Sequence, residues 1–268
     1  MSGGGHNRQM RLYLINLARR PDRLAAMTRR LAAVGLTPVR VDAIDAREIT
    51  PTAMDATFAQ NGPLGEIGLG DQCCTLSHRR AWRQFLDSGD HYAVFMEDDV
   101  RIMDGDWLRN ADWIPAGTDL VKLEHYGPQG QAILLSDAHD VGRGFQIARL
   151  RSRHTGAAAY ILSRAGAQLL APIQHFTLPV DHLLFNPNNS PIFAALDPEQ
   201  LVPAIARQDE CIGQKSDIEA FRVGFRKINL TYVRRELIRF GYDLKLVPRQ
   251  LALVLTGRAR LIKIRTVS

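Results

Sequence analysis

The stretch that most restricts what this chain can fold into is Tyr92 to Arg101, which reads YAVFMEDDVR. Ala93, Val94, Phe95 and Met96 form an apolar run of the length expected for a strand buried in a parallel sheet. Glu97, Asp98 and Asp99 follow without a break. Burying three anions beside such a strand is expensive unless something offsets their charge. In an extended chain residues two apart share a face, so Glu97 and Asp99 are expected to point one way and Asp98 the other. Two carboxylates plus water suit Mn2+ or Mg2+, cations that commonly also hold substrate phosphates. The competing reading is an acidic surface turn after a core strand.

The surrounding chain supplies the frame for that strand. Arg11 to Leu17 is a strand candidate ending in a polar loop, Ala18 to Arg23. Pro21 suits a first helical position and Asp22 its first turn. Leu24, Met27, Leu31 and Val34 then recur at helical spacing up to Gly35, a stop signal. Pro38 to Asp45 reads as a second strand, with Asp42 near its end. Strand, helix, strand of these lengths is a βαβ unit, whose ligands sit outside the carboxyl ends of the strands. Further on, 50–69 reads as loop or short helix, 71–86 as a helix carrying Ser77 and His78, and 119–124 as a strand tipped by Glu124. A hairpin is expected from 133–135 and 145–148, and a tightly packed strand over 155–162. Ser163 is placed as cap of a helix to Leu170, and Pro179 to Asn186 as a short helix. The fold class expected is α/β, a Rossmann-type, mostly parallel sheet flanked by helices.

Composition limits the function classes. A chain of 268 residues with 46% hydrophobic and 23% charged residues is globular rather than disordered. Three cysteines, Cys73, Cys74 and Cys211, make no disulfide framework and no zinc-finger spacing; they are read as packing residues in a reducing compartment. The start, MSGGGHNRQ, has no apolar core of a signal peptide, and no run reaches the length of a membrane span. A cytoplasmic location is expected, with peripheral attachment to the cytoplasmic face of the inner membrane as an option. Residues 1–9 are read as an arm, 10–206 as the main domain and 207–268 as a basic, mainly helical segment. From Arg207 onward fourteen Lys/Arg stand against six Asp/Glu, whereas the whole chain carries only +6. Such asymmetry points to an anionic partner. With no nucleic-acid module recognisable, an anionic membrane surface is the partner expected, and nucleic acid is not.

LINLARRPDR (14–23), VDAID (41–45), LGDQCCTLSHRRAW (69–82), VFMEDDVRI (94–102), VKLE (121–124), GAAAYILSRAGAQLL (156–170) and LPVDHLL (178–184), with RQDECIGQKSDIE (207–219) as a weaker echo, occur in this order. Together they resemble glycosyltransferase family 25, the bacterial lipooligosaccharide galactosyltransferases related to collagen galactosyltransferase domains. The resemblance implies a GT-A-like fold, a nucleotide-sugar donor, usually UDP-galactose, an oligosaccharide or glycolipid acceptor, and inversion at the sugar. It also implies that Glu97 to Asp99 carry Mn2+ to the diphosphate, with Glu97 and Asp99 as ligands and Asp98 facing the donor. One departure is Cys73, where the family often has glycine.

On that reading Arg23, among the loop arginines Arg19, Arg20 and Arg23, is the candidate for donor phosphate. Asn16 and Leu17 end the first strand beside the donor, and Asn16 alternatively bonds its own loop. Asp42 either holds ribose or uracil or merely ends a strand. Ser77 and His78 are adjacent on one helix and diverge, so they make no nucleophile–base dyad; they anchor the helix or touch the donor sugar. Asp181 is the first candidate for catalytic base, with an N-cap as its alternative. Glu124 is the second candidate. His154 and His182 are metal or acceptor contacts, or simply structural. Two other classes share the carboxylates: a transferase-fold binding protein, and another metal-dependent phosphate enzyme.

Overall fold

The computed structural model describes residues 9–127, 131–208 and 230–267. The first half builds the expected unit: β1 (Arg11–Asn16), α1 (Pro21–Ala33) and β2 (Pro38–Asp42), with β1 parallel to β2 and to β3 (Tyr92–Glu97). Pro21 opens α1 and Gly35 follows it with φ +70°, the left-handed conformation that glycine accepts without strain. Between β2 and β3 runs α2 (Leu69–Ser88), longer by two residues at each end than its sequence pattern suggested.

Alternation along the strands explains why both faces are covered. Tyr13 and Ile15 of β1 and Ala93 and Phe95 of β3 belong to one buried cluster, together with Trp82 and Phe85 of α2. Leu12 and Leu14, and Val94 and Met96, belong to a second cluster with Met27 and Leu31 of α1. A period of two on the strands against a period near 3.6 on the helices thus makes a three-layer α/β sandwich.

Beyond β3 come β4 (Val100–Ile102), β5 (Leu120–Lys122), β6 (Glu124–His125), β7 (Ala132–Gly142), β8 (Phe145–Leu150) and β9 (Ala159–Ser163). Then follow α3 (Arg164–Leu170), α4 (Val180–Phe185), α5 (Phe193–Leu196), β10 (Glu199–Val202), β11 (Ala206–Gln208), α6 (Leu230–Leu255) and β12 (Ala259–Lys263). As expected, Ser163 caps α3, its side chain accepting from Gly166 N at 2.9 Å. Nine strands form one mixed sheet in the order β12-β7-β8-β10-β5-β9-β3-β1-β2. The pairings give β1, β2, β3, β5, β7 and β10 one common direction, and β8, β9 and β12 the opposite one.

Three features differ from the sequence reading. The 133–148 hairpin is an integral part of the sheet rather than an excursion. The end of the chain, read as helical, adds the edge strand β12. A second small sheet, β4-β11-β6, takes up the chain immediately after β3 and after β5. The chain therefore passes from the large sheet to the small one three times, after β3, after β5 and after β10. The first two crossings carry Glu97–Asp99 and Glu124, which places four carboxylates at one rim. The echo at 207–219 and the apolar positions Phe221, Phe225 and Ile228 fall mostly or wholly outside the described residues.

Candidate active site

At the first crossing Glu97 ends β3, and Asp98 and Asp99 form the turn to β4. Glu97 and Asp98 face apart as expected, but Asp99 Oδ2 lies 3.8 Å from Arg23 Nη1, the same cation that Asp98 meets, so strand alternation does not extend to it. Asp98 is buried and turned toward β1 and α1. It accepts from Asn16 Nδ2 at 2.6 Å and from Arg23 Nη1 at 3.2 Å. Asn16 also donates to Arg20 O at 3.0 Å and accepts from Arg40 Nε at 3.1 Å. Three of the residues expected to bind the donor are thus brought together, but largely as a mutual brace that shapes the loop after β1. Charge-assisted bonds of this kind contribute about 1.5–3 kcal/mol each.

Glu97 turns the other way, onto α2. His78 Nε2 lies 3.4 Å from Glu97 Oε1, and Cys74 Sγ donates to the same oxygen at 3.9 Å. The tautomer of His78 follows from its neighbours. Trp82 Nε1, a donor only, points at Tyr160 Oη at 2.7 Å, and Tyr160 Oη lies 2.8 Å from His78 Nδ1. The phenol satisfies its own hydrogen by donating to Nδ1, which leaves the imidazole proton on Nε2, aimed at Glu97. Burial pushes the imidazole down to about 4, so the ring is neutral at physiological pH and serves as a fixed dipole.

Burial, and then the fields of Glu124, Asp98 and Asp181, push the Glu97 carboxyl up to about 8. Burial, and then Glu97 and Asp98, raise Asp99 to about 7, with Arg23 opposing at 3.8 Å. Asp99 Oδ1 is buried with no hydrogen-bond partner. Two crowded carboxyls with a spare buried oxygen between strand and loop fit a hard divalent cation. The pattern does not fit a solvated surface turn.

At the second crossing Lys122 and Glu124 are both fully buried, and Lys122 Nζ donates to Glu124 Oε1 at 2.9 Å and to Gly156 O. Ala158 N donates to the same Glu124 oxygen at 2.7 Å, while Glu124 Oε2 has no partner. The ammonium also lies 4.5 Å from the centroid of the Phe185 ring. Gly156 has φ +90°, and a Cβ there would stand 3.0 Å from Glu124 Oε1 and 2.7 Å from the Tyr126 side chain. Only glycine lets that loop close on the pair. Lys122 was read simply as part of a strand. Its signal was the alternation Lys122-Leu123-Glu124, which sends two opposite charges to one face.

Asp181 sits in the first turn of α4, half-buried, its Oδ1 accepting from His182 N at 2.8 Å. Its charge acts on Glu97, His78 and Lys122, which places it in the same carboxylate neighbourhood. The remaining expected residues lie apart or are otherwise engaged. Ser77 Oγ donates to Cys73 O and accepts from Ile44 N, tying α2 to the loop after β2. The Asp42 side chain is 64% exposed and paired with Arg40 at 2.7 Å. Leu17 is half-buried, its carbonyl closing the turn to Arg20 N. His154 is held between Gln200 and the Tyr126 backbone, and burial drives it down to about 3. Asn186 Nδ2 lies 2.8 Å from His182 Nδ1.

Comparison with known proteins adds an independent line. A family model described as "Glycosyltransferase family 25 (LPS biosynthesis protein)" matches residues 9–184. The "Probable inactive glycosyltransferase 25 family member 3" of Bos taurus is 28% identical over 195 residues, which cover 65% of this chain and 31% of that protein. The "Lacto-N-neotetraose biosynthesis glycosyltransferase LgtB" of Neisseria meningitidis serogroup A is 27% identical over 213 residues, 75% of each chain. The aligned region is thus less than a third of the bovine protein, and three quarters of the bacterial one.

Proposed function

Because the chain belongs to glycosyltransferase family 25, we propose that it is an inverting, nucleotide-sugar-dependent hexosyltransferase assisted by a divalent cation. The donor is UDP-galactose and the acceptor a saccharide of a lipid-linked surface glycan, reached from the cytoplasmic side. The observation that carries this reading is the pair Glu97 and Asp99, raised to about 8 and about 7 at the carboxyl end of β3 while Asp98 is braced by Arg23 and Asn16. The site is built for a cation it lacks the charge to do without.

Glu97 and Asp99 would hold Mn2+ or Mg2+, which when bound supplies charge neutralisation to the leaving diphosphate. The other steps fall to the protein. The Asn16–Arg23–Asp98 brace fixes the loop that meets the nucleotide, with Arg23 at the phosphate side. His78, held by Tyr160, orients Glu97. Glu124 Oε2, with its other oxygen bound by Lys122 and Ala158 N, is free to accept from a hydroxyl of the donor sugar. Asp181 takes the acceptor hydroxyl proton as that oxygen attacks C1 and the C1–O bond to the diphosphate breaks on the opposite face. That sequence inverts the anomeric centre and leaves the proton on Asp181.

The experiment is UDP-galactose turnover with and without Mn2+, alone and with a saccharide acceptor. Metal-dependent turnover that disappears in Asp99→Ala is expected. The bovine relative, described as a "Probable inactive glycosyltransferase 25 family member 3", supports a second reading: a donor-binding protein without turnover. That reading predicts Mn2+-dependent UDP binding and no release of UDP under any condition.

A further inference from the structure

Cys74 and His78 are four residues apart on α2 and therefore stand one above the other on one helix face. That face meets the end of β3. Cys74 Sγ, His78 Nε2 and Glu97 Oε1 all lie within 4.8 Å of one another. We infer that these three residues form a second cation site, for a thiophilic ion such as Zn2+, overlapping the Glu97–Asp99 site by sharing Glu97.

The donor set decides which ion fits. Sulfur, imidazole nitrogen and one carboxylate oxygen, with a fourth position open, are ligands of zinc. Two ligands at i and i+4 of a helix are a frame in which zinc sites recur. Mn2+ and Mg2+ prefer oxygen and gain little from sulfur. The cluster is thus divided by softness: Glu97 and Asp99 for a hard ion, Cys74, His78 and Glu97 for a soft one. The inference rests on the metal reading above only in making the two ions compete for Glu97.

The electrostatics restrict which cation binds here. Burial, and then Glu97, Asp71, Asp181 and Asp99, hold the Cys74 thiol well above its usual range, so an ion settles here only if it binds sulfur strongly enough to displace that proton. Binding sends the Cys74 thiol proton to solvent, along with that of Glu97 where it carries one. The His78 proton moves from Nε2 to Nδ1, where Tyr160 Oη accepts it. Tyr160 then takes two donors, from His78 and Trp82, and its own hydrogen loses an acceptor. Only an ion that grips the sulfur strongly compensates that loss, which again selects zinc over manganese. Zinc bound in this way withdraws Glu97 from the hard ion, so the site inhibits sugar transfer.

Cobalt(II) titration of the metal-free full-length protein tests this without substrate. One equivalent of Co2+ should give a thiolate-to-cobalt charge-transfer band with the intense visible bands of a four-coordinate ion, and Zn2+ should discharge both. Cys74→Ser, folded by circular dichroism, should lose the charge-transfer band. His78→Gln should weaken binding about 10- to 100-fold. In the transferase assay at fixed Mn2+, with each protein scored against its own zinc-free rate, Cys74→Ser should resist zinc about tenfold better than the parent. A Co2+ spectrum of a six-coordinate, oxygen-ligated ion overturns the proposal. So does a charge-transfer band that survives in Cys74→Ser, or an unchanged affinity in His78→Gln. A protein that shows the band but no Mn2+-dependent turnover keeps this site and loses the transferase reading, so the two failures are separable.

Discussion

Asp99→Asn should make the metal-free protein more stable, and by an amount that grows with pH. The folded protein holds the Asp99 carboxyl at about 7 against an ordinary 3.8, chiefly through burial and then through Glu97 and Asp98. Well below pH 3.8 the carboxyl is neutral in folded and unfolded chains alike, and Asn gains nothing. As pH rises the unfolded chain ionises first, so the folded state becomes progressively less favoured until both forms are charged. At 1.36 kcal/mol per pKa unit the penalty is about 1–2 kcal/mol near pH 5 and at most about 4 kcal/mol near pH 8. The side chain is 23% exposed, and solvent screening brings the upper figure down to about 2–4 kcal/mol. At about 2–4 °C per kcal/mol for a chain of this size, the melting temperature near pH 8 should rise on the order of 5–10 °C. Mn2+ should close most of that gap near pH 8. The parent gains about 2.7 kcal/mol at a hundredfold excess over its dissociation constant, whereas Asp99→Asn gains little. Thermal denaturation from about pH 5 to pH 8, with and without Mn2+, reads all of this. A variant that is less stable at the alkaline end, or whose gain does not vary with pH, would refute the placement of Asp99 in a crowded anionic pocket.

Three further outcomes follow from the same geometry. Lys122→Met should cost about 3–5 kcal/mol in chemical denaturation, because it strands Glu124 as a buried unpaired charge, and Lys122→Met with Glu124→Gln should recover most of the loss. Asp181→Asn should lower kcat by about 10²–10⁴ with little change in donor KM if Asp181 is the base; the N-cap role expected as its alternative falls to Pro179 in the structure, so a purely local role, its bond to His182 N, leaves kcat within a few-fold. On α6, Phe240, Leu244, Val247 and Leu251 are exposed at spacings of three and four, and nine Lys/Arg face two Asp/Glu from 230 to the end. Co-sedimentation with anionic vesicles should therefore exceed that with neutral ones, and should fall in Leu244→Glu and Leu251→Glu; equal binding to both kinds of vesicle would remove the membrane reading.

What the sequence made legible here was local. Apolar runs of strand length, the Pro21 and Gly35 boundaries of α1 and the Ser163 cap are properties of short segments, and short segments decide them. The opposition of Asp98 to Glu97 needed only the period of two. The pairing of β9 between β3 and β5 was not readable, because antiparallel partners so far apart in sequence are chosen by the fit of whole faces. Everything that pairing brings together was therefore hidden as well. Tyr160 enters the site from β9, and with Trp82 it fixes the His78 tautomer. Gly156 and Ala158, just before β9, receive Lys122 and Glu124. Ser77 and Asp42 illustrate the converse: a polar residue at a strand or helix end looks functional in one dimension, yet Ser77 is satisfied by two backbone groups and the Asp42 carboxylate lies on an exposed rim beside Arg40. Two buried carboxylate oxygens at the proposed site, Asp99 Oδ1 and Glu124 Oε2, are left without a hydrogen-bond partner. Both lie at crossings from one sheet to another, where the ladder of backbone hydrogen bonds ends, and there the proposed site places its ligands.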